Sequence, residues 1–264
     1  MKIHVFSEVL DKINWCKVLY PANKDEIKEV KKSIREYIWR IMEEKNIARF
    51  PRPVYGRIPN FIGAEQAAEK VFKTSVWKKA EVIKANPDSP QQPLRARALI
   101  EGKMLVMASP RLKKGFILLD PRKIPTSRLT YASTIRGAFI YGKIVSLKEI
   151  PPVDLVVTGC VAVDLAGNRL GKGGGYAELE YAILRELELI NENTPVVTTI
   201  HDIQIVEKIP REPHDLTVDI IATPTKLIHV NPRPPKPTGI IWELLGDKIE
   251  LDVIKELRRI KYSK

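Results

Sequence analysis

The residues of this chain with the clearest capacity for chemistry lie between Gly167 and Glu180, in the stretch GNRLGKGGGYAELE. Four of the chain's 14 glycines, Gly171, Gly173, Gly174 and Gly175, fall together there, with Lys172 among them and Arg169 just ahead. A strand-like run, VDLVVTGCVAVD, precedes the cluster, and a strong helix former, YAELEYAILRELELI, follows it. A strand, a glycine loop and a helix start bare consecutive backbone N–H groups to an anion, because glycine accepts positive φ and lets a ligand approach the main chain. Arg169 and Lys172 add side-chain charge to such a nest, and Tyr176 offers a ring for stacking. The pattern describes a phosphate cradle; the plainer reading is a tight turn with no ligand.

Two phosphate motifs do not fit. A Walker loop needs Ser or Thr after Gly-Lys, but Gly171-Lys172 is followed by Gly173. A dinucleotide fingerprint that starts at Gly171 needs its last glycine where Tyr176 stands.

The surrounding elements must hold this loop in place. From Lys24 to about Asn46, Ile27, Val30, Ile34, Ile38 and Ile41 recur at helical spacing, and the other face carries Lys28, Lys31, Lys32 and Arg35. Lys31 and Arg35 stand four apart and share a face, so both can reach one anion; a solvated basic face is the other reading. RFPRPVYGRIPNF is a proline-broken loop, and GAEQAAEKVFKTSVWKKA reads as one further helix. EVIKA, KMLVMAS and GFILLD read as strands, with RARALIEG as a crossover helix, and TPVVTTI and LTVDIIATPT add more. This alternation predicts an α/β fold with a mostly parallel sheet flanked by helices on both faces, an open Rossmann-like sandwich.

The expected division is an N-terminal segment over 1–23, the α/β domain over 24–230, a proline-rich linker over 231–239 and a helical segment over 240–264. The linker, NPRPPKPTG, holds too much proline for a helix or central strand. The last segment has a break near Gly246 and is expected to pack back on the core.

A net charge of +12 favours anionic partners such as nucleotides, polycarboxylates or nucleic acid. Nucleic acid is not favoured, because the basic residues are spread from Lys24 to Lys264 and no RNA-binding aromatic signature appears. No apolar run approaches the roughly 20 residues of a membrane span. Glu8 and Asp11 interrupt any signal-peptide core, and Cys16 and Cys160 have no metal-ligand spacing, so a cytoplasmic location without membrane contact is expected.

The stretch VDLVVTGCVAVDLAGNRLGKGGGYAELEYAILRE resembles the signature of the 5-formyltetrahydrofolate cyclo-ligase family, also called methenyltetrahydrofolate synthetase. That family has an Arg-x-Gly-x-Gly-x-Gly-Tyr loop after a strand ending in Asp, matched by Asp164, Arg169, Gly171, Gly173, Gly175 and Tyr176. KKSIR supplies Lys31 and Arg35 for the family's Lys-x-x-x-Arg pair, and EPHDLTVDIIAT resembles its closing segment. The resemblance spans about Lys24 to Pro224, and the chain looks like a longer, divergent branch.

The resemblance implies a ligase that uses ATP and Mg2+ to convert 5-formyltetrahydrofolate, or a related pterin, to the 5,10-methenyl form through a phosphorylated formyl oxygen. It implies ATP-binding roles for Lys31, Arg35, Arg169, Gly171, Lys172, Gly173, Gly174, Gly175 and Tyr176. Arg169 and Lys172 would be catalytic, Tyr176 would also touch the substrate, and Glu178 and Asp215 would bind Mg2+. Asp164 would orient the loop.

The chain departs from the family in three places. Tyr176-Ala177-Glu178 replaces Tyr-Tyr-Asp, Leu112 replaces an aromatic residue after Pro110-Arg111, and NPDSPQQPLRARA offers only Asp88 where a carboxylate normally grips the pterin. Two other readings therefore stay open: a nucleotide-binding relative with another acceptor or no catalysis, and a nucleic-acid-binding protein on the same scaffold.

Overall fold

The computed structural model describes residues 23–262, so the expected N-terminal segment lies, but for residue 23, outside the described residues. The chain enters through α1 (Lys24–Glu44). Asn23 starts this helix by accepting the N–H groups of Asp25 and Glu26, each at 3.0 Å. Ile34, Ile38 and Met42 form its buried stripe at helical spacing.

There follow α2 (Ala64–Phe72), α3 (Ser75–Lys79), β1 (Val82–Ala85), α4 (Gln92–Ile100), β2 (Met104–Ala108) and β3 (Phe116–Leu119). Next come α5 (Leu129–Ala132), α6 (Ile135–Tyr141), β4 (Lys143–Val145), β5 (Leu155–Thr158), β6 (Ala162–Asp164) and β7 (Arg169–Leu170). The chain ends with α7 (Tyr176–Glu186), β8 (Val196–Thr199), β9 (Ile205–Val206), β10 (Ile220–Ala222), β11 (Leu227–His229) and α8 (Asp252–Tyr262).

Eight strands form one sheet in the order β11-β10-β8-β5-β1-β2-β3-β4, and β7-β6-β9 form a small second sheet. The five central strands, β10-β8-β5-β1-β2, are parallel. Alternation along them feeds two cores. Ile83, Ala85, Leu105 and Met107 pack under α2 to α6, whereas Val106, Ala108 and Val156 pack under α7 and α8. Helices on both faces of a mostly parallel sheet are the expected architecture. A third core joins α1 to the small sheet through Ile38, Phe61, Val161 and Leu170. Among the described residues no helix is long and apolar enough to cross a membrane.

Three local expectations need correction. GFILLD forms β3, but it pairs antiparallel with β2, because residues 109–115 make too short a connection for a parallel crossover. VDLVVTGCVAVD is not one strand: β5 stays in the large sheet and β6 belongs to the small one. The break begins at Gly159, where a Cβ would stand 2.5 Å from Gln91 Oε1 and 2.7 Å from Ile58 Cγ2, so a larger residue would have to displace those side chains. GAEQAAEKVFKTSVWKKA divides into α2 and α3 at Thr74, whose hydroxyl accepts the Trp77 N–H at 3.2 Å and restarts the helix.

The topology creates the crevice that matters. From β1 the chain runs outward through β2, β3 and β4, then crosses to β5 on the other side of β1. The connections leaving β1 and β5 diverge at their carboxyl ends, which opens a ligand-sized gap in sheets of this kind.

The proline-rich stretch has no regular secondary structure, yet Lys236 fastens it to the core. Its ammonium is buried on Asp219 at 2.8 Å and donates to the Thr194 carbonyl at 2.9 Å. Beyond it, Val253, Ile254 and Leu257 of α8 bury themselves in the core shared with α7. Leu257 is fully buried, so Leu257→Ala is expected to cost about 2–4 kcal/mol of stability, read as an earlier midpoint in urea unfolding.

Candidate active site

The glycine loop stands at the mouth of this crevice, and its shape follows from a hairpin. Asp164 ends β6 and folds the turn before β7: its carboxylate accepts the Asn168 N–H at 2.9 Å and the Ile209 N–H at 2.9 Å. Asp164 therefore shapes the hairpin through backbone contacts. Burial pushes its pKa up, against the pull of these hydrogen bonds.

Arg169 follows in β7, only 3 % exposed. Its Nε donates to the Gly159 carbonyl at 3.0 Å, and its guanidinium forms a short ion pair with Glu178 in the first turn of α7. Burial opposes both charges, but each stabilises the other by more. Arg169 ends above its ordinary pKa and Glu178 below it. The pair draws β7 and α7 together and forces the intervening glycines into a loop. Gly173 at φ +100° and Gly175 at φ +65° occupy the left-handed region that other residues avoid. Gly175 is the residue before α7, and no side chain caps that helix, so its first N–H groups face the loop.

Arg35 reaches the loop from α1. Its Nε donates to the Gly171 carbonyl at 2.7 Å, and its guanidinium lies 3.6 Å from where a Cβ on Gly173 would be. Burial lowers its pKa, partly offset by Glu178 and Asp215. Lys172 extends from the loop to Asp88 beyond the end of β1, at 3.2 Å.

These elements enclose a cleft of about 620 Å3. Arg169, Gly171, Lys172, Gly174, Gly175 and Tyr176 form one wall. Asn86 and Asp88 after β1, Ser109 to Arg111 after β2 and Glu180 of α7 complete the lining. Arg95, fully buried in α4, props the loop after β1 by donating to the carbonyls of Asn86 and Asp88 at 2.5 and 2.8 Å.

Not every expected residue joins this cleft. Lys31 is buried one helical turn from Arg35, and its ammonium sits on Glu212 at 2.7 Å and Asp215 at 2.6 Å. Asp215 also accepts the Glu212 N–H at 2.7 Å, which closes the turn at Glu212–Asp215. Glu178 and Asp215 are thus each engaged by a cation, Glu178 through Oε1 and Asp215 through Oδ2. Glu212, His214 and Asp215 bring possible ligand atoms within 4.8 Å of one another, a group that does not include Glu178.

The sequence reading passed over Glu180. It faces the sheet from α7, where its Oε2 forms an ion pair with Lys84 Nζ at 2.5 Å and accepts a hydrogen bond from Asn86 Nδ2 at 2.7 Å. Burial pushes its pKa up, opposed by Lys84. A charged residue inside the strand EVIKA, facing a helix with a charged residue on its inner side, was the available signal. Cys160 is a core residue instead, with burial raising its thiol to about 11.

A model of the 5-formyltetrahydrofolate cyclo-ligase family matches residues 27–224. The methenyltetrahydrofolate synthase domain-containing protein of Bos taurus is 44% identical over 238 residues, which cover 86% of this chain and 62% of that protein. The protein of the same name from Mus musculus is 43% identical over 235 residues, covering 86% and 63%. The chain thus spans less than two thirds of the length of these relatives. The 5-formyltetrahydrofolate cyclo-ligase of Escherichia coli (strain K12) is 35% identical over 75 residues, covering 28% of this chain and 38% of that protein.

The Arg169–Glu178 pair makes a pH-dependent contribution to stability. Because the folded carboxylate has a lowered pKa, its stabilisation is present above the unfolded value, about 4.3, and is lost as pH falls through the folded value. Glu178→Gln leaves Arg169 buried without its counter-charge. It is expected to cost about 3 kcal/mol at neutral pH in denaturant unfolding. The gap from the unsubstituted protein should narrow below about pH 4.

Proposed function

The chain belongs to the 5-formyltetrahydrofolate cyclo-ligase family, and on that basis we propose that it is a ligase of one-carbon metabolism that uses ATP and Mg2+ to convert 5-formyltetrahydrofolate, or a related pterin, to the 5,10-methenyl form. The observation that carries this reading is that the glycine loop, the uncapped start of α7, Arg169 and Lys172 line a single cleft, with Arg35 bonded to the loop at Gly171. An arrangement of bare N–H groups and cations suits the phosphates of a nucleotide.

The chemistry explains why phosphate is needed. An amide-like formyl oxygen leaves poorly, and phosphate leaves well. ATP, with Mg2+ on its phosphates, supplies the phosphoryl group that makes the formyl oxygen a leaving group when N10 closes the ring. Phosphoryl transfer asks a protein chiefly for position and charge neutralisation.

Each residue contributes to that requirement. The loop N–H groups from Gly171 to Tyr176 would hold phosphate oxygens. Lys172, exposed and held among the described residues by Asp88 alone, can turn from that carboxylate to a phosphate. Arg169 is committed to Glu178 and Gly159, so it would act through its fixed positive charge. Arg35 fixes the loop through Gly171 and brings a second guanidinium to it.

Of the two carboxylates expected to hold Mg2+, Asp215 belongs to the cluster of possible ligand atoms formed with Glu212 and His214, and Glu178 does not. Glu178 Oε2 and Asp215 Oδ1 stand outside the ion pairs with Arg169 and Lys31, and oxygen donors are what Mg2+ prefers. Lys31 would then set the orientation of Asp215 and would reach the nucleotide only through it.

In the same lining, Glu180 and Asn86 offer acceptors to the second substrate. Asn86 Oδ1 is buried without a hydrogen-bond partner among the described residues. The amino-pyrimidine edge of a pterin donates N–H groups of the kind such acceptors bind. Glu180 thus supports the pterin reading where the family's usual carboxylate is missing. Tyr176, which lines the same cleft, would stack against either substrate.

The test is an absorbance assay of methenyl-folate formation from 5-formyltetrahydrofolate with ATP and Mg2+. Turnover should require all three components. Lys172→Ala should lower kcat/KM by about 10- to 100-fold, the effect of one lost charge-assisted contact. No turnover with intact ATP binding would instead favour a different acceptor.

A further inference from the structure

The family match ends at residue 224, but the chain does not leave the site there. The segment after it returns over α7 and is held at both ends. The Ile240 N–H donates to Glu186 at 2.9 Å, and the buried Val253, Ile254 and Leu257 anchor α8. Between these anchors the chain turns at Gly246, φ +50°, and carries Lys248 towards the glycine loop. Lys248 Nζ lies 5.6 Å from the centre of the Tyr176 ring and 3.6 Å from where a Cβ on Gly175 would be. With Glu178 and His214, Lys248 lines a small cavity of about 90 Å3 against the first turn of α7.

The charge balance here is one-sided. Lys248 is half-buried, and no carboxylate among the described residues forms an ion pair with it. Its neighbour Glu250 pairs with Lys255 at 3.0 Å instead. The contact with the Tyr176 face is of the same size as the cost of placing an ammonium at the positive end of a helix, so it leaves the charge of Lys248 without a further stabilising partner among the described residues. Arg169 has Glu178 and Lys172 has Asp88, whereas among the described residues no carboxylate forms an ion pair with Lys248 as it approaches the same loop. An anion seated on the loop would supply it.

We propose that Lys248 is a ligand-binding residue of this site, donated by the C-terminal segment, which contacts a phosphate oxygen of a nucleoside triphosphate held on the glycine loop. The inference rests on the phosphate reading of that loop. It makes the segment beyond the family match a working wall of the nucleotide site. It also adds a cation that the loop motif does not contain.

The test is titration calorimetry with ATP and with AMP, on the unsubstituted protein and on Lys248→Met, Lys248→Arg and Lys172→Ala. Methionine keeps the length of the side chain and its contact with Tyr176 but removes the charge. Expected for Lys248→Met is a loss of at least about tenfold in ATP affinity, AMP affinity within about twofold, and an unchanged thermal midpoint. Lys248→Arg should recover most of the loss. Unchanged ATP affinity in Lys248→Met, with affinity lost in Lys172→Ala, would overturn the role of Lys248 and leave the phosphate loop standing. Equal weakening of ATP and AMP with a lowered midpoint would reduce Lys248 to a fastener of the segment. If the unsubstituted protein binds no ATP, the phosphate reading fails and this inference falls with it.

Discussion

A buried guanidinium cannot be left alone, and the neighbourhood of Arg169 is organised around that constraint. Its Nε takes the Gly159 carbonyl where the chain passes from the large sheet to the small one, and its other face takes Glu178 at the start of α7. One side chain therefore ties together the end of β5, the β6–β7 hairpin and the helix that follows. The intervening chain must close as a loop of glycines. Removing a charge from water costs several kcal/mol unless a partner restores it, so this pairing cannot be loosened without disturbing all three elements. Arg35 adds a second tie by donating to Gly171 from α1, which brings the third core into the same assembly.

The charges around the loop divide into those that are spent and those that are available. Lys31 is spent on Glu212 and Asp215, and Arg169 on Glu178. Lys172 has a longer, exposed contact with Asp88, and Arg35 bonds a backbone carbonyl. The net charge of +12 therefore says less than the placement of a few cations. What distinguishes the cleft is that its lining joins the cations of the loop to the acceptors of Asn86 and Glu180. Cations and bare N–H groups suit an anion, whereas unpaired acceptors suit N–H donors, and a topological switch point is where such groups from different connections come together.

Family membership accounts for the residues from 27 to 224, and the physical core reaches further. Leu245, Val253, Ile254 and Leu257 share one apolar cluster with Tyr181 and Leu184 of α7. The helix that presents its N-terminus to the loop is thus packed partly by residues outside the family match. Burial of this kind couples the position of the C-terminal segment to the position of α7, because close-packed interiors transmit displacement.

Much of the fold was legible in the chain. Helical spacing marked α1, short apolar runs marked the central strands, and glycine punctuation marked the loop before α7. These signals are local, and local propensity governs them. The direction of β3 was not legible, because parallel and antiparallel strands carry the same apolar pattern and only the connection separates them. Nor was the division of VDLVVTGCVAVD between two sheets, which rests on distant pairing partners, β1 and β8 for β5 and β7 and β9 for β6. At the site, the spacing of Arg169, the glycines and Tyr176 was enough to identify a candidate anion cradle. Which cations face it was not: Lys31 and Arg35 lie on one helix face, yet one pairs with Asp215 and the other reaches Gly171. Sequence spacing sets which side chains share a surface. Which partner each one meets depends on residues more than 130 positions away, and only the folded chain brings those together.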